Sequence, residues 1–174
     1  MKHSYQIDYE NVKLRPLIKD DIENLRIWRN NPKNTLYLSK IPFITEEMQA
    51  AWFERYLSNE DELCFAIVES RVLNRMVGSL SLHDFSEDSC FLGKILIGDD
   101  EAHGRKVGLN ASIAATKIAF ERLNMKSVNL QVFAENMAAF NVYTNAGFTI
   151  VNEHLTASGK KEYFMKIDRR IMNA

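Results

Sequence analysis

The stretch from Cys90 to Leu123 constrains the fold of this chain more than any other segment. It begins with the run 90–97, which is apolar at most positions and so predicts a strand in the middle of a sheet. A helix is predicted from Arg105 to Leu123. The apolar face of this helix is made mostly of small residues, namely Val107, Ala111, Ala114, Ala115, Ile118 and Ala119. Small side chains allow close approach, so the segment predicts a helix packed directly on a central strand.

Strand and helix signals alternate along the rest of the chain. Strands are predicted at 12–17, 64–69, 76–85, 127–133, 148–151 and 162–167. Helices are predicted after Asp20, after the N-cap residue Thr45, and over 137–145 with Gly147 at the end. Pro16 places the first of these strands at an edge of the sheet. The order favours the α/β class, in the mixed α+β form, with a mixed sheet and helices on both faces.

Length and charge exclude several classes of protein. With 174 residues, the chain is expected to form a single domain, 1–174. The 22 basic and 23 acidic residues give a net charge of −1, which disfavours a nucleic-acid binder. The longest apolar run, 63–68, is far shorter than the roughly 20 residues of a membrane span, so no membrane partner is expected.

Cysteine and histidine usage points to a reduced, metal-free protein. Cys64 and Cys90 each lie among apolar residues, and we expect two buried thiols in a reducing, cytoplasmic compartment. His3 and His154 have no partner at metal-ligand spacing, so no metal is expected.

The first candidate site is the turn His103-Gly-Arg-Lys-Val-Gly108, between the apolar strand and the small-faced helix. Glycines let a ligand approach the backbone, and free N–H groups at a helix start attract phosphate. Arg105 and Lys106 add positive charge. The alternative is an ordinary turn with solvated basic residues. The spacing matches neither a dinucleotide fingerprint nor a nucleotide P-loop.

The second candidate is the segment from Asn136 to Phe148. In a helix, Ala139 and Tyr143 are four residues apart and share a face. Tyr143 is either a functional hydroxyl or a core aromatic whose hydroxyl is hydrogen-bonded.

Together, the two segments resemble the GNAT superfamily of acyl-CoA N-acyltransferases. The first matches Gln/Arg-x-x-Gly-x-Gly/Ala in part, and the second matches Asn-x-x-Ala/Ser-x-x-Leu/Val-Tyr-x-x-x-Gly-Phe throughout. The stretches 14–17, 28–30 and 51–53 resemble the branch of ribosomal-protein, spermidine and nucleotide-sugar amine acetyltransferases. The resemblance implies a three-layer fold with a mixed, mostly antiparallel sheet of about seven strands. It implies an acetyl-CoA-dependent N-acetyltransferase that uses acetyl-CoA as co-substrate.

The resemblance also implies where acetyl-CoA binds. The strands before the glycine-rich turn and after the long helix splay apart in the family, and pantetheine lies between them. On this chain, Ile95, Leu96 and Ile97 would flank the thioester, and Asn136 would contact the cofactor arm. The pyrophosphate would be held by backbone N–H groups of His103, Gly104, Arg105, Lys106, Val107 and Gly108. Tyr143 would protonate the CoA thiolate after direct attack by a primary amine in a ternary complex.

The chain departs from the family pattern at three positions. His103 replaces Gln or Arg, and Lys106 replaces a glycine, which costs on the order of 1–2 kcal/mol if the backbone needs positive φ. Gln131 stands where some members have a glutamate that acts as the general base. The general base is left open among His83, Glu135, Asp84 and Glu101, of which His83 and Glu135 are the two that we carry forward.

The acceptor site is expected between the first two helices. Its polar and aromatic candidates are Trp28, Arg29, Asn30, Tyr37 and Trp52. Both tryptophans also fit the core, and Arg29 fits either a salt bridge or an anionic group of the acceptor. Gln49 replaces a histidine typical of the nucleotide-sugar subgroup. The acceptor could therefore be a small amine, an amino-sugar nucleotide or a protein N-terminus.

Two other functions stay open at this stage. The first is a non-catalytic acyl-CoA-binding sensor or subunit on the same fold, and the second is a small-ligand protein unrelated to CoA. The protein is expected to be a monomer or a homodimer.

Overall fold

The computed structural model describes residues 2–37 and 42–172, and its centre is a single sheet of eight strands. The strands are β1 (Ile7–Tyr9), β2 (Val12–Pro16), β3 (Glu62–Glu69), β4 (Arg75–His83), β5 (Ser89–Ile97), β6 (Ser127–Phe133), β7 (Thr149–Leu155) and β8 (Lys161–Asp168). Their spatial order is β1-β2-β3-β4-β5-β6-β8-β7. Only the β5–β6 pairing is parallel among the described strands. The predicted mixed, mostly antiparallel sheet is confirmed, with one strand more than expected.

Helices cover both faces of the sheet, which confirms the three-layer arrangement. They are α1 (Ile22–Asn30), α2 (Glu46–Ser58), α3 (Val107–Glu121), α4 (Met137–Asn145) and α5 (Arg169–Met172). Leu25 of α1 and Phe53 of α2 pack with Cys64 and Ala66 of β3 on one face. The larger core lies on the opposite face, under α3. The predicted small-residue face of α3 is confirmed, because all six of its residues are at most 2% exposed.

The extra strand is β1, which the sequence analysis did not predict. It pairs with β2 through Ile7↔Leu14 and Tyr9↔Val12, so β2 is an inner strand over this length. The prediction of β2 as an edge strand was therefore wrong. Pro16 nevertheless lies where its missing N–H costs no hydrogen bond to β1, because it is the last residue of β2 and β1 pairs only with residues 12–14.

The helix ends follow local capping chemistry, with one correction. Thr45 Oγ1 accepts from the Met48 N–H at 3.2 Å, which confirms the predicted cap of α2. Gly147 follows α4 with φ +97°, as its predicted role requires. Asp20 does not cap α1. Its neighbour Asp21 accepts from the Ile18 N–H at 2.9 Å and forms a two-point ion pair with Arg15.

Both cysteines are free and buried, as predicted. Burial raises the pKa of each thiol above its usual value. No helix in residues 2–37 and 42–172 has the length and apolarity needed to cross a bilayer. The same residues contain no group of three or more His, Cys, Asp or Glu side chains placed to hold a metal ion.

Candidate active site

A wide cleft opens where β5 and β6 separate. The two strands pair only through Ser89↔Ser127, Cys90↔Val128 and Phe91↔Asn129, and they diverge beyond these residues. The cleft has a volume of about 900 Å³ and is lined by the diverging halves of both strands. The backbone N–H and C=O groups along its walls are therefore available to an extended ligand, as at the edge of any sheet.

The cleft passes through the sheet from one face to the other. Leu92 and Val132 belong to the core under α3, so strand alternation places Gly93 and Gln131 on the opposite face. All four line the cleft. Tyr143 of α4 also lines it, and so does His83 of β4. Two ligands can thus reach one another through the gap from opposite faces.

The turn before α3 forms the mouth of the cleft on the α3 side. Five of its six candidate residues line the cleft, namely His103, Gly104, Lys106, Val107 and Gly108. Helix α3 has no side-chain cap, and its first main-chain bond is from Asn110 N–H to Lys106 O. The N–H groups of residues 107–109 therefore have no intrahelical acceptor and suit a phosphate, whereas those of His103 and Arg105 donate to Asp100 O and Ala102 O. Arg105 does not line the cleft, because its Nε donates to Glu101 O at 2.8 Å.

Lys106 has a left-handed backbone, with φ +57°. This position therefore has the conformation in which a lysine is strained and a glycine is not. Gly104, with φ +77°, is left-handed as well, and a side chain there would meet no other atom within 4 Å. The glycine at 104 is thus required by conformation and not by packing.

Asn11 anchors this turn from a distant part of the chain. Its Nδ2 donates to Arg105 O at 3.0 Å, and its Oδ1 accepts from Asn110 Nδ2 at 2.7 Å. Asn11 lies between β1 and β2 and is 9% exposed. No sequence pattern pointed to it, because its partners are more than ninety residues away and β1 was not predicted.

The acidic residues just before the turn are neutralised by cations. Arg75 pairs with Asp99 and Glu101 at 2.8 Å each, and Lys33 pairs with Asp100 at 2.9 Å. The hydrogen bond from Arg75 lowers the pKa of Asp99 below its usual value. These ion pairs reduce the repulsion that an incoming anion would meet. They also engage Glu101, one of the four residues considered as a general base.

Tyr143 is the hydroxyl that α4 presents to the cleft. Burial raises its pKa to about 12, so the phenol stays protonated at neutral pH and can donate a proton. Its ring packs against Phe148 with centroids 6.2 Å apart. Asn136 also lines the cleft, and its Oδ1 caps α4 by accepting from the Ala139 N–H at 3.2 Å.

His83 is the general-base candidate of the sequence analysis that lines the cleft. Its Nδ1 is 2.9 Å from Asp84 Oδ2. Because an ionised carboxylate only accepts hydrogen bonds, this contact selects the neutral tautomer in which Nδ1 carries the proton and Nε2 is the acceptor. The ring stacks on Phe91 with centroids 6.0 Å apart. Asp84 adopts φ +50° at the end of β4, which is how a residue adjacent in sequence reaches the ring.

Glu135 lies outside the cleft. Its carboxylate accepts from Lys160 Nζ, and both side chains are about half exposed. It is therefore held in a surface ion pair. Of the thioester candidates, Ile95 and Ile97 line the cleft, whereas Leu96 is 5% exposed and does not.

The acceptor candidates are distributed over four environments. Arg29 and Trp52 line a second, smaller cavity between α1, α2 and the sheet. Tyr37 lines the large cleft, and its hydroxyl donates to Glu135 O at 3.5 Å. Trp28 packs on Gly98, where an added Cβ would come within 2.1 Å of the indole. Both amide atoms of Asn30 are bonded to the Ile44 main chain at 2.8 Å, so Asn30 fixes the chain before α2.

Comparisons with known proteins agree with this geometry. Residues 11–149 match the sequence family described as an acetyltransferase (GNAT) domain. No curated protein matches the chain significantly.

Several solved structures share the fold at low sequence identity. Spermidine N-acetyltransferase from Vibrio cholerae, solved with CoA and spermine, has a TM-score of 0.83 at 18% identity, over 94% of this chain and 99% of that one. A GNAT-family acetyltransferase from Bacillus anthracis has a TM-score of 0.81 at 15% identity, over 95% and 99%. FdhC, a nucleotide-linked sugar GNAT solved without ligand, has a TM-score of 0.81 at 18% identity, over 98% and 94%. These likenesses concern the fold.

Proposed function

Since this chain belongs to the GNAT family and is an acetyl-CoA-dependent N-acetyltransferase, we propose that it acetylates a primary amine with His83 as general base and Tyr143 as general acid. The observation that carries this assignment is that His83 and Tyr143 both line the cleft through the sheet. We propose further that residues 1–174 act as one domain.

The features of the cleft suit acetyl-CoA. Its phosphates would be bound by the free N–H groups at the start of α3, with Lys106 adding positive charge. The backbone edges near Ile95 and Ile97 would hold the pantetheine arm, and Asn136 would contact the arm. When bound, acetyl-CoA supplies the thioester that a neutral amine attacks. Such preorganised donors stabilise developing charge without a metal.

His83 would remove the proton from the amine nucleophile. An alkylammonium has a pKa of about 10.4, so at pH 7 only about one molecule in 2,000 is the reactive free amine. Nε2 of His83 can accept the proton that the amine nitrogen loses as its bond to the acetyl carbon forms. Asp84 acts here as a positioning residue, because it fixes the tautomer in which Nε2 is the acceptor.

Tyr143 would complete the reaction at the sulfur. As the carbon–sulfur bond breaks, the phenol donates its proton to the leaving thiolate. The proton taken up by His83 and the proton given by Tyr143 balance through solvent, so no further reactant is required. General acid help of this kind contributes about 10²–10⁴ in rate. We expect the lower end, because a thiolate is already a good leaving group.

A binding titration and an activity assay test this proposal together. Acetyl-CoA and CoA should each raise the melting temperature, whereas an unrelated nucleotide should not. Primary amines should then release free thiol from acetyl-CoA. Binding of CoA without thiol release for any amine would favour a non-catalytic acyl-CoA-binding protein, and absence of both would contradict the whole assignment.

A further inference from the structure

The smaller cavity has a polar lining that the proposed chemistry does not use. It has a volume of about 40 Å³ and lies between α1, α2 and the sheet. Its polar residues are Arg29, Gln49, Glu62, Ser79, Ser81 and Lys94. A water molecule needs at least about 10–15 Å³, so a few atoms of a ligand fit, but a nucleotide does not.

The cavity is placed to bind the far end of an acceptor. Lys94 lines both the cavity and the large cleft, so the two spaces meet at this residue. Glu62 of β3 lies directly opposite His83 of β4 in the strand register, and so these two side chains are on the same face of the sheet. An acceptor whose amine approaches His83 can therefore extend its other end into the cavity.

The charges in the cavity do not cancel. Lys94 Nζ donates to Glu62 Oε1 at 2.6 Å, and this pair is neutral as a whole. Burial opposes ionisation of Glu62, but the hydrogen bond and charge of Lys94 outweigh it and lower its pKa. The side chain of Arg29 is partly buried and forms no ion pair or hydrogen bond with any residue in 2–37 or 42–172. Among these residues the cavity thus keeps one unmatched positive charge.

A neutral hydrogen-bonding group in the cavity also has no partner among the described residues. Gln49 is 5% exposed and lines the cavity, and Ser81 lies beside it in the same lining. The Ser81 hydroxyl is buried and meets no hydrogen-bond geometry, although it is near enough to help lower the pKa of Glu62. Buried polar groups are nearly always satisfied in native proteins, so the Ser81 hydroxyl is available to a polar atom that enters the cavity.

We propose that the acceptor is a small primary amine that carries a carboxylate, with Arg29 as the residue that binds the carboxylate. This inference rests on the proposed function and names the substrate class of that site. A guanidinium binds a carboxylate through two parallel hydrogen bonds, and Gln49 and Ser81 supply further donors. A polyamine fits poorly, because its second ammonium would face Arg29 and Lys94 while Glu62 is already paired.

The test compares matched acceptors in a thiol-release assay. Each of a set of amino acids, with β-alanine and γ-aminobutyrate included, is assayed beside its primary carboxamide and beside spermidine. The best amino carboxylate should exceed its carboxamide in kcat/KM by about 10–100-fold, as expected for a hydrogen-bonded charge pair.

Variants of Arg29 should remove this preference. Arg29→Gln should raise KM for the amino carboxylate by about 10–100-fold, while kcat and the Kd for CoA change less than about threefold. Arg29→Lys keeps the charge without the two-point geometry and should fall between wild type and Arg29→Gln. Arg55→Gln, at an exposed position of α2 outside the cavity, is the matched control and should behave as wild type.

The outcomes separate this inference from the proposed function. Efficient acetylation of spermidine, or of carboxamides as readily as of carboxylates, would overturn the inference and leave the N-acetyltransferase assignment intact. A carboxylate preference that survives in Arg29→Gln would overturn the role of Arg29. No thiol release with any amine, including amino sugars and peptides, would remove the proposed function and the inference together.

Discussion

The imidazole of His83 lies directly over Gly93, so that a Cβ at position 93 would be 2.5 Å from Nε2. The glycine therefore makes room for the ring, with Nε2 as the ring atom that would lie nearest to an added Cβ. Gly93→Ala should displace the ring and lower kcat by about 10–100-fold, because the base loses its alignment. The Kd for CoA should change less than about threefold.

A double-variant cycle distinguishes displacement of the ring from general damage. In a His83→Ala background, Gly93→Ala has no ring to displace and should change neither kcat nor stability further. Additive losses in the double variant would show that position 93 acts independently of His83.

Tyr143→Phe should lower kcat by about 100-fold and leave the Kd for CoA within about threefold. The physical reason is that the ring keeps its packing on Phe148 while the proton donor is removed. Steady-state kinetics and a CoA titration on the same preparation measure both quantities. A variant with unchanged turnover would exclude Tyr143 as the acid.

Tyr143 also predicts an effect of alkaline pH on stability. Its pKa is raised to about 12 in the fold, against about 10 in an unfolded chain. The unfolded state therefore loses this proton first, and the free energy of unfolding should fall as pH rises from about 10 to 12. Urea unfolding over this range should show a smaller fall for Tyr143→Phe, and an identical fall would contradict the burial of the hydroxyl.

Lys106→Gly should stabilise the protein by about 1 kcal/mol, since it relieves a left-handed lysine but adds chain entropy to the unfolded state. This corresponds to a rise in melting temperature of about 2–4 °C. Asn74 is the matched control, because it is also left-handed, with φ +51°, and asparagine tolerates that conformation. Asn74→Gly should give less than half of the gain, and equal gains would argue against strain at Lys106.

Asn11→Ala should weaken CoA binding from outside the cleft. The change removes the bonds to Arg105 O and to Asn110, which hold the start of α3 in place. We expect the Kd for CoA to rise about 3–10-fold and stability to fall by about 1–3 kcal/mol. Asn152→Ala, on the exposed strand β7, is a suitable control and should leave both values unchanged.

Lys94→Met should make the protein less stable at neutral pH, by a deficit that shrinks as pH falls. The paired Glu62 has a lowered pKa, so its stabilising effect is present above the unfolded value, near 4.3, and is lost as pH falls. Without Lys94, the buried carboxylate is unpaired. The free energy of unfolding at pH 7 should then fall by about 1–2 kcal/mol, which is less than for a fully buried pair because Lys94 is half exposed.

The difference in free energy of unfolding between Lys94→Met and wild type should also narrow as pH falls, because protonation removes the unpaired charge of Glu62 in the variant and the stabilising pair in wild type. Lys117→Met, which removes a surface pair with Glu121, controls for the loss of a charge and should shift neither quantity measurably. A stability deficit in Lys94→Met that does not change with pH would show that Glu62 does not depend on this partner.

Local patterns predicted the parts of the molecule that local chemistry determines. Helix α4 was predicted with the observed bounds, because Asn136 and Gly147 mark its ends in the sequence. The small face of α3 was also evident, since every residue on it lies in one segment. Strand β1 was not, because three residues carry little periodicity and this strand depends on its pairing with β2.

The arrangement of the site depended on contacts that no single segment encodes. His83 lies at one of the polar positions that alternate with apolar ones along β4. The left-handed backbone of Asp84, which brings a carboxylate to the His83 ring, cannot be predicted from that alternation. The cavity around Arg29 is assembled from α1, α2, β3, β4 and β5, so Gln49 and Glu62 were invisible as parts of one site. Glu135 is a candidate general base by its position before Asn136, but Lys160, which is 25 residues away in sequence, holds its carboxylate in an ion pair.

The three residue pairs between β5 and β6 have a mechanical consequence. They are the main-chain connection between the five strands β1 to β5 and the three strands β6 to β8, and beyond them β5 and β6 are not paired. A ligand that hydrogen-bonds to both β5 and β6 would connect the two parts of the sheet along their unpaired lengths. Loading should therefore stiffen the protein more than it reshapes it, and slowed amide exchange along the diverging halves of β5 and β6 would record that stiffening.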